Sequence, residues 1–391
     1  MWCRLLSVFH NCRVTGVHYR WTMDAHQISA ARLISQGLIG PPPESPTGTD
    51  LSNAGAVVEH LGCVQAQALG GALVSIALRT GPDITDGVAA VRAAIDAGEI
   101  VRSWTQRGTI HLTTAKDIGW ILGLTGARIM KATAKRREHF GITDDMLDTA
   151  AELATAAIRE RGPLTREELL EAFAPIGAGD EYGHARYLIT SLALQNIIVQ
   201  APMIEGKDDM KYVLTADWVP TPTTLDAEAA DREWMRRFVT SHGPVTVDDA
   251  ARWTGLPKTR MRKAIQAGID AGEIVSTEID GTDYVHAPDL EDRLGEWEAA
   301  AQETMLLPGF DEIILGYKDR SATLDPANEK LVVPGGNGMF KNTLVAGTRA
   351  RATWKRSPRK TGPRVLVDTF PGEKVDLAAV ESVSATHPAF V

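Results

Sequence analysis

Cysteine is nearly absent: Cys3, Cys12 and Cys63 are the only three in 391 residues. Three thiols make no disulfide framework, and a reducing cytoplasm is the expected setting. Long apolar runs are missing too. No stretch reaches the roughly 18 residues that a membrane-spanning helix needs, so no membrane partner is expected. The signatures of common catalysts are also missing: there is no His-Glu-x-x-His, no phosphate loop and no Gly-x-Ser-x-Gly. Pro334-Gly335-Gly336-Asn337-Gly338 is rich in glycine, but it does not lead from a strand into a helix, and it reads as a loop.

What is present is an acidic body with one basic segment. The net charge of −9 argues weakly against a nucleic-acid partner, but its distribution argues the other way. From Arg320 to Arg364 there are ten Lys or Arg against Asp325 and Glu329, a net of +8, which leaves −17 on the rest. Such a segment suits local contact with phosphates. Smaller basic groups stand at Arg128, Lys131, Lys135, Arg136 and Arg137, and at Lys258, Arg260, Arg262 and Lys263. The length allows two or three domains with substantial cores. Residues 1–22 are rich in Trp, Cys, His and Arg without a period; regular sequence begins at Met23. They are expected to be a disordered extension or to reflect an upstream start. Cys3, His10, Cys12 and His18 match no compact zinc spacing, and no metal site is expected.

Read in order, the chain first shows Ile28, Leu33, Ile34 and Leu38 at helical spacing, ended by Gly40 and the prolines after it. Asp50 or Ser52 is the expected cap of the next helix. Residues 88–97 read as helix, 99–104 and 109–112 as strands, and 115–139 as helix. A phrase then repeats: Ile-Asp-Ala-Gly-Glu-Ile-Val stands at 95–101 and again at 269–275, with a looser copy at 192–198. Each copy closes a helix on a small or polar residue and opens an apolar strand. Gly-Pro-Leu-Thr at 162–165 and Gly-Pro-Val-Thr at 243–246 precede two of the copies, with Thr165 and Thr246 as N-caps.

After Thr246 the expected order is helix, turn at Gly255-Leu256-Pro257, helix over 258–271, and strands over 273–279 and 283–286. That is a winged helix, a helix-turn-helix followed by a hairpin. Winged units are expected at 160–215 and 240–290, with a modified first unit ending near 113. Structural duplication without DNA contact would leave the same pattern. The last hundred residues predict a polar helix over 291–304. Short apolar runs follow at 313–315, 331–333, 344–346, 350–354 and 365–367, read as a small antiparallel sheet or barrel. A helix over 374–385 closes the chain. The fold class is α+β, mostly α, divided at 1–22, 23–140, 141–220, 221–300 and 301–391.

One stretch stands out for chemistry: Gly62-Cys63-Val64-Gln65-Ala66-Gln67, between two apolar helical segments. In extended or turned backbone, residues i and i+2 point the same way, so the two carboxamides would face one spot. In an unbroken helix they would point nearly opposite ways. Alone, Gln65 and Gln67 read more readily as surface glutamines at a helix start; the rest of the chain raises the functional reading.

The chain resembles the winged-helix DNA glycosylases typified by the azinomycin-resistance enzyme. The resemblance rests on Gln65-Ala66-Gln67, on Arg107-Gly108-Thr109-Ile110-His111-Leu112 and on Leu306-Leu307-Pro308-Gly309-Phe310-Asp311. It also rests on Leu315-Gly316-Tyr317-Lys318-Asp319-Arg320 and the strand ending at Trp354. It spans about residues 27–370. It implies tandem winged helices in a C-shape with a small β-barrel, and excision of bulky, cationic alkylated purines. Some members unhook interstrand crosslinks. Gln65 and Gln67 would be the catalytic pair; a related branch has Asp at the second position, where this chain keeps Gln67. No metal or organic cofactor is implied.

The chemistry is coherent. An N7-alkylated purine is already cationic and leaves as a neutral base, so no general acid is needed. Carboxamide oxygens can orient water toward a sugar of oxocarbenium character. The remaining roles follow by position. Lys341, Arg349, Arg351, Lys355 and Arg356 would hold phosphates, or form a solvated face. A wing hairpin between Arg102 and His111, with Arg107 and His111 touching the DNA, would probe the lesion or open the stack, or His111 would be strand packing. Tyr317 and Arg320 would line the cleft, or pack and pair inside the C-terminal domain. The partner would be duplex DNA carrying alkylated bases, bound by a monomer associated with the nucleoid. The alternative is a non-catalytic winged-helix regulator that reads DNA with the helix at 258–271.

Overall fold

The computed structural model describes residues 23–40, 53–80, 87–177, 182–336, 338–359 and 361–390. The expected extension over 1–22 with its Cys and His residues, and the proline loop with Asp50 and Ser52, lie outside them. Helix α1 (Ala25–Ser35) opens on a capping box. Asp24 accepts from Gln27 N at 2.9 Å, and the Gln27 side chain accepts from Asp24 N. Helix α2 (Ala54–Leu61) is capped by Asn53, which accepts from Ala56 N at 2.8 Å. That cap falls just past the expected positions.

Strand β1 (Val64–Gln65), α3 (Leu69–Ala77), α4 (Gly87–Asp96), β2 (Ile100–Trp104) and β3 (Ile110–Thr114) follow. The helix expected over 115–139 is instead α5 (Ile118–Ala132) and α6 (Ala134–His139). The break lies at Thr133, whose hydroxyl donates back to Ile129 O and Met130 O at 3.1 Å. Next come α7 (Asp144–Arg161), α8 (Arg166–Ala172), α9 (Tyr182–Leu194), β4 (Ile198–Met203), β5 (Met210–Leu214) and α10 (Thr215–Trp218). The third stretch holds α11 (Ala227–His242), α12 (Val247–Thr254), α13 (Lys258–Asp270), β6 (Val275–Ile279), β7 (Thr282–His286) and α14 (Leu290–Trp297).

The repeated phrases fold alike. Gly98, Asn196 and Gly272 take φ of 80°, 58° and 73°. The residue after each donates five positions back: Glu99 to Ala94, Ile197 to Leu192 and Glu273 to Gly268, at 2.9, 3.0 and 2.9 Å. A left-handed residue closes each helix and aims the chain at a strand. Asn is among the few side-chain-bearing residues that adopt it readily. Thr165 and Thr246 each form a capping box, with Glu168 and Asp249 respectively.

The hairpins of the first two units are fused. Strands run β1-β3-β2-β4-β5 in one sheet, joined where Arg102 pairs with Gln200; hairpin β6–β7 stays separate. Helix α1, placed by sequence with the first unit, shares its core with the third unit and the C-terminal region. Leu33 and Ile34 lie in one cluster with Trp234, Phe238, Trp253, Phe310 and Tyr317.

The C-terminal region is an open sheet rather than a barrel. Strands β8 (Met305–Leu307), β9 (Thr343–Ala346), β10 (Arg349–Arg356) and β11 (Val365–Thr369) lie in the order β11-β10-β9-β8. The runs at 313–315 and 331–333, expected as strands, are single helical turns: α15 (Glu312–Leu315) and α16 (Glu329–Val332). Asp311 starts the first by accepting from Ile313 N at 3.1 Å, and a cap overrides the β preference of a short Ile run. Helix α17 (Leu377–Thr386) packs Val380 against Leu306, Leu344 and Trp354. Among the described residues, no helix is long and apolar enough to cross a membrane.

Candidate active site

Gly62 ends α2 at φ 76°, ψ −53°, a conformation that side-chain-bearing residues rarely adopt. The chain turns there into β1, where Val64 pairs with Leu112 and Gln65 with His111. Ala66 N extends the ladder to Ile110 O at 2.9 Å, and α3 starts only at Leu69. The glutamine stretch is therefore extended and turned, not part of an unbroken helix. Arg102 holds it from the other side, donating to Ala66 O from Nε at 3.1 Å and Nη2 at 2.8 Å. Its Nη1 donates to Gln200 Oε1 at 2.7 Å, and Gln200 donates to the Tyr212 hydroxyl at 2.8 Å. Strands from the second unit thus brace the stretch.

Gln65 is 5% exposed, whereas Gln67 is exposed. Arg107 Nη2 donates to Gln65 Oε1 at 3.1 Å and lies 3.4 Å from His111 Nε2. Its Nη1 donates to the Trp253 carbonyl on α12. Arg107 itself takes φ 55°. Gly255 leaves it room: a Cβ there would sit 3.3 Å from Arg107 Cγ. His111 is fully buried, with Nδ1 3.0 Å from Thr109 O and from Thr105 Oγ1. A carbonyl only accepts, so Nδ1 carries the proton and Nε2 faces Arg107 as an acceptor. Burial, then the Arg107 cation, hold the imidazole neutral, its pKa well below the ordinary value. Burial pushes the Cys63 thiol up to about 12, which leaves it a poor nucleophile beside the glutamines.

The structure gathers Gln65, Arg107 and His111 and disperses most of the other candidates. The hairpin tip carrying Arg107, expected to probe the lesion or open the stack, is docked on α12. Tyr317, expected in a cleft, is fully buried: its hydroxyl donates to His242 O at 2.9 Å and accepts from Gln36 at 3.0 Å. The Arg32 guanidinium lies 3.9 Å from its ring centre. Tyr317 is core packing, because an aromatic ring among apolar neighbours gains more from burial than from a cleft wall. Arg320 pairs with Glu329 and donates to Ile314 O at 2.7 Å. Arg349 donates to Ser321 O and Ala322 O at 3.3 Å, and Arg351 pairs with Glu373. Lys341, Lys355 and Arg356 are exposed.

Two residues that sequence reasoning passed over belong to the site. Trp253 supplies the carbonyl that anchors Arg107. Arg252, half-buried, donates to Leu315 O at 2.7 Å. Burial, then Arg320 and Arg107, lower its pKa to about 10. Among the described residues neither Arg107 nor Arg252 forms an ion pair. No local pattern marks them, since both arise from the docking of distant elements.

This fold and site define a class. The family described as DNA glycosylase AlkZ-like matches residues 58–386, and the chain belongs to it. It is a DNA glycosylase, an enzyme acting on the bond between base and sugar. The curated interstrand DNA cross-link repair glycosylase of Streptomyces sahachiroi is 25% identical over 355 residues, spanning 85% of this chain and 89% of the relative. The solved Streptomyces sahachiroi DNA glycosylase AlkZ shares the fold, with a TM-score of 0.74 at 22% identity. That match covers 95% of this chain and 97% of the other.

Proposed function

We propose that this glycosylase releases purines alkylated at N7 from duplex DNA, with Gln65 and Gln67 as its catalytic pair. Interstrand crosslinks built on such adducts are included among its substrates. The observation that carries this reading is the extended backbone at Gln65, with Gln67 two residues on and exposed. The neutral carboxamides place a water and face the positive charge developing on the sugar. They pull more weakly than a carboxylate, so only a base that is already cationic leaves. An undamaged purine stays.

The three helix-and-hairpin units act as winged helices, and the DNA follows the exposed cations Lys341, Lys355 and Arg356. Contacts in the first turn of α3 support this path: a Cβ on Gly71 would lie 3.4 Å from Gly309 O, and one on Gly309 2.5 Å from Phe340 O. The middle of the basic segment, at Phe340 beside Lys341, therefore lies near the start of α3, four residues past Gln67. Three of the four cations on helix α13 are partnered by carboxylates, and Arg262 is exposed. Lys258 pairs with Asp248, Arg260 with Asp231 and Lys263 with Glu228. The enzyme works as a monomer. Incubation with a panel of N7-alkylated duplexes tests the reading: free base and abasic sites are expected, and no release from any of them contradicts it.

A further inference from the structure

A guanidinium carries five N–H donors and no acceptor. Whatever it touches on Gln65 must be the oxygen; the flipped amide would set two donors against each other. Arg107 meets three acceptors at once: Gln65 Oε1 at 3.1 Å, His111 Nε2 at 3.4 Å and the Trp253 carbonyl. The His111 nitrogen is an acceptor because its other nitrogen faces Thr109 O. Trp253 belongs to the third unit, and its indole donates at 3.1 Å to Glu312, buried at the start of α15. A continuous chain thus runs from the C-terminal region through Glu312, Trp253 and Arg107 to Gln65.

We propose that Arg107 is a positioning residue: it fixes the Gln65 amide, and it does so only when the first and third units are docked. The proposal rests on the catalytic reading of the glutamines. It has a consequence for how they divide the work. With one lone pair of Gln65 Oε1 taken by a cation, that oxygen is a weaker acceptor, and the amide turns its NH2 group away from Arg107. The oxygen that orients water is then that of Gln67, whose side chain makes no hydrogen bond among the described residues. Arg107 acts through Gln65 and contacts no phosphate.

The test uses the full chain with Arg107→Lys, Arg107→Met, Gln65→Ala, and Arg107→Met combined with Gln65→Ala. Three quantities are measured: the melting curve, affinity for a duplex with one N7-alkylguanine, and single-turnover base release at saturating DNA. Expected for Arg107→Met is a loss of about tenfold or more in the single-turnover rate, with affinity changed less than about threefold. Arg107→Lys keeps a donor and falls in between. In the Gln65→Ala background, Arg107→Met adds less than about twofold, because the partner is already gone.

Unchanged rates in both Arg107 variants overturn the proposal. So does a loss that saturating DNA restores, which marks a phosphate contact. If Arg107→Met does not fold, Arg107→Lys alone and in the Gln65→Ala background decides by the same criteria. Gln65→Ala separates the two layers. If it keeps the wild-type rate, the catalytic reading fails; if it is slow while both Arg107 variants are fast, only the positioning role fails.

Discussion

Arg79 and Asp311, 232 residues apart, form a doubly bonded ion pair, Nη1 to Oδ2 at 3.0 Å and Nη2 to Oδ1 at 2.9 Å. Both side chains are at most 1% exposed. Ser75 adds a bond to Asp311 at 2.7 Å, and Arg79 reaches Gln36 Oε1 at 2.8 Å. The pair ties α3, just past the glutamines, to the C-terminal region and α1. Removing one partner leaves an uncompensated buried charge. Arg79→Ala or Asp311→Ala is therefore expected to lower stability by about 3–5 kcal/mol, read by denaturant unfolding. A change under about 1 kcal/mol contradicts the role assigned to the pair. Replacing both with apolar residues of similar volume is expected to cost less than either single change.

His60 makes stability fall on mild acidification. Burial lowers the His60 pKa to about 4, against a bond to Ser35 O at 2.7 Å that supports the charged form. Its folded pKa lies below its unfolded value of about 6.5. As pH falls through that window, the unfolded chain takes up a proton that the folded chain refuses. Stability should drop between about pH 6.5 and 4, by up to roughly 1.4 kcal/mol per unit from this group. Buried His111 works in the same direction. Melting curves across this range should be flatter in His60→Gln than in wild type; identical slopes would exclude the effect.

DNA affinity should divide the arginines and lysines of the basic segment into two sets. Lys341, Lys355 and Arg356 are exposed, whereas Arg320 and Arg351 are engaged within the protein. Alanine at Lys341 or Lys355 is expected to reduce the salt slope of binding by about 0.9, with single-turnover rate at saturation unchanged. Alanine at Arg351 should lower the melting temperature and leave the slope alone. The reverse pattern would place the DNA on another face.

Local structure was legible where a residue type dictates backbone. The repeated helix ends, the Thr165 and Thr246 caps and the β6–β7 hairpin all follow from short-range chemistry. The Gly62–Gln67 turn was legible only as a requirement of the chemistry, and Gly62 at positive φ meets it. Long-range docking was not legible. The fusion of two hairpins through Arg102 and Gln200, the burial of Tyr317 and the anchoring of Arg107 by Trp253 all join residues far apart in the chain. The segment from Leu306 to Asp311 was legible as a motif but not in its work, which is to place a buried carboxylate against Arg79. The Ile313 run failed as a strand because a cap two residues upstream, at Asp311, outweighs a three-residue preference.

The glutamine pair is the central claim. Its most direct test is single-turnover base release from an N7-alkylguanine duplex by Gln65→Ala and Gln67→Ala, each shown to be folded by its melting curve. Both are expected to lose about a hundredfold or more while still binding DNA. Base release at the wild-type rate by either folded variant would contradict the account.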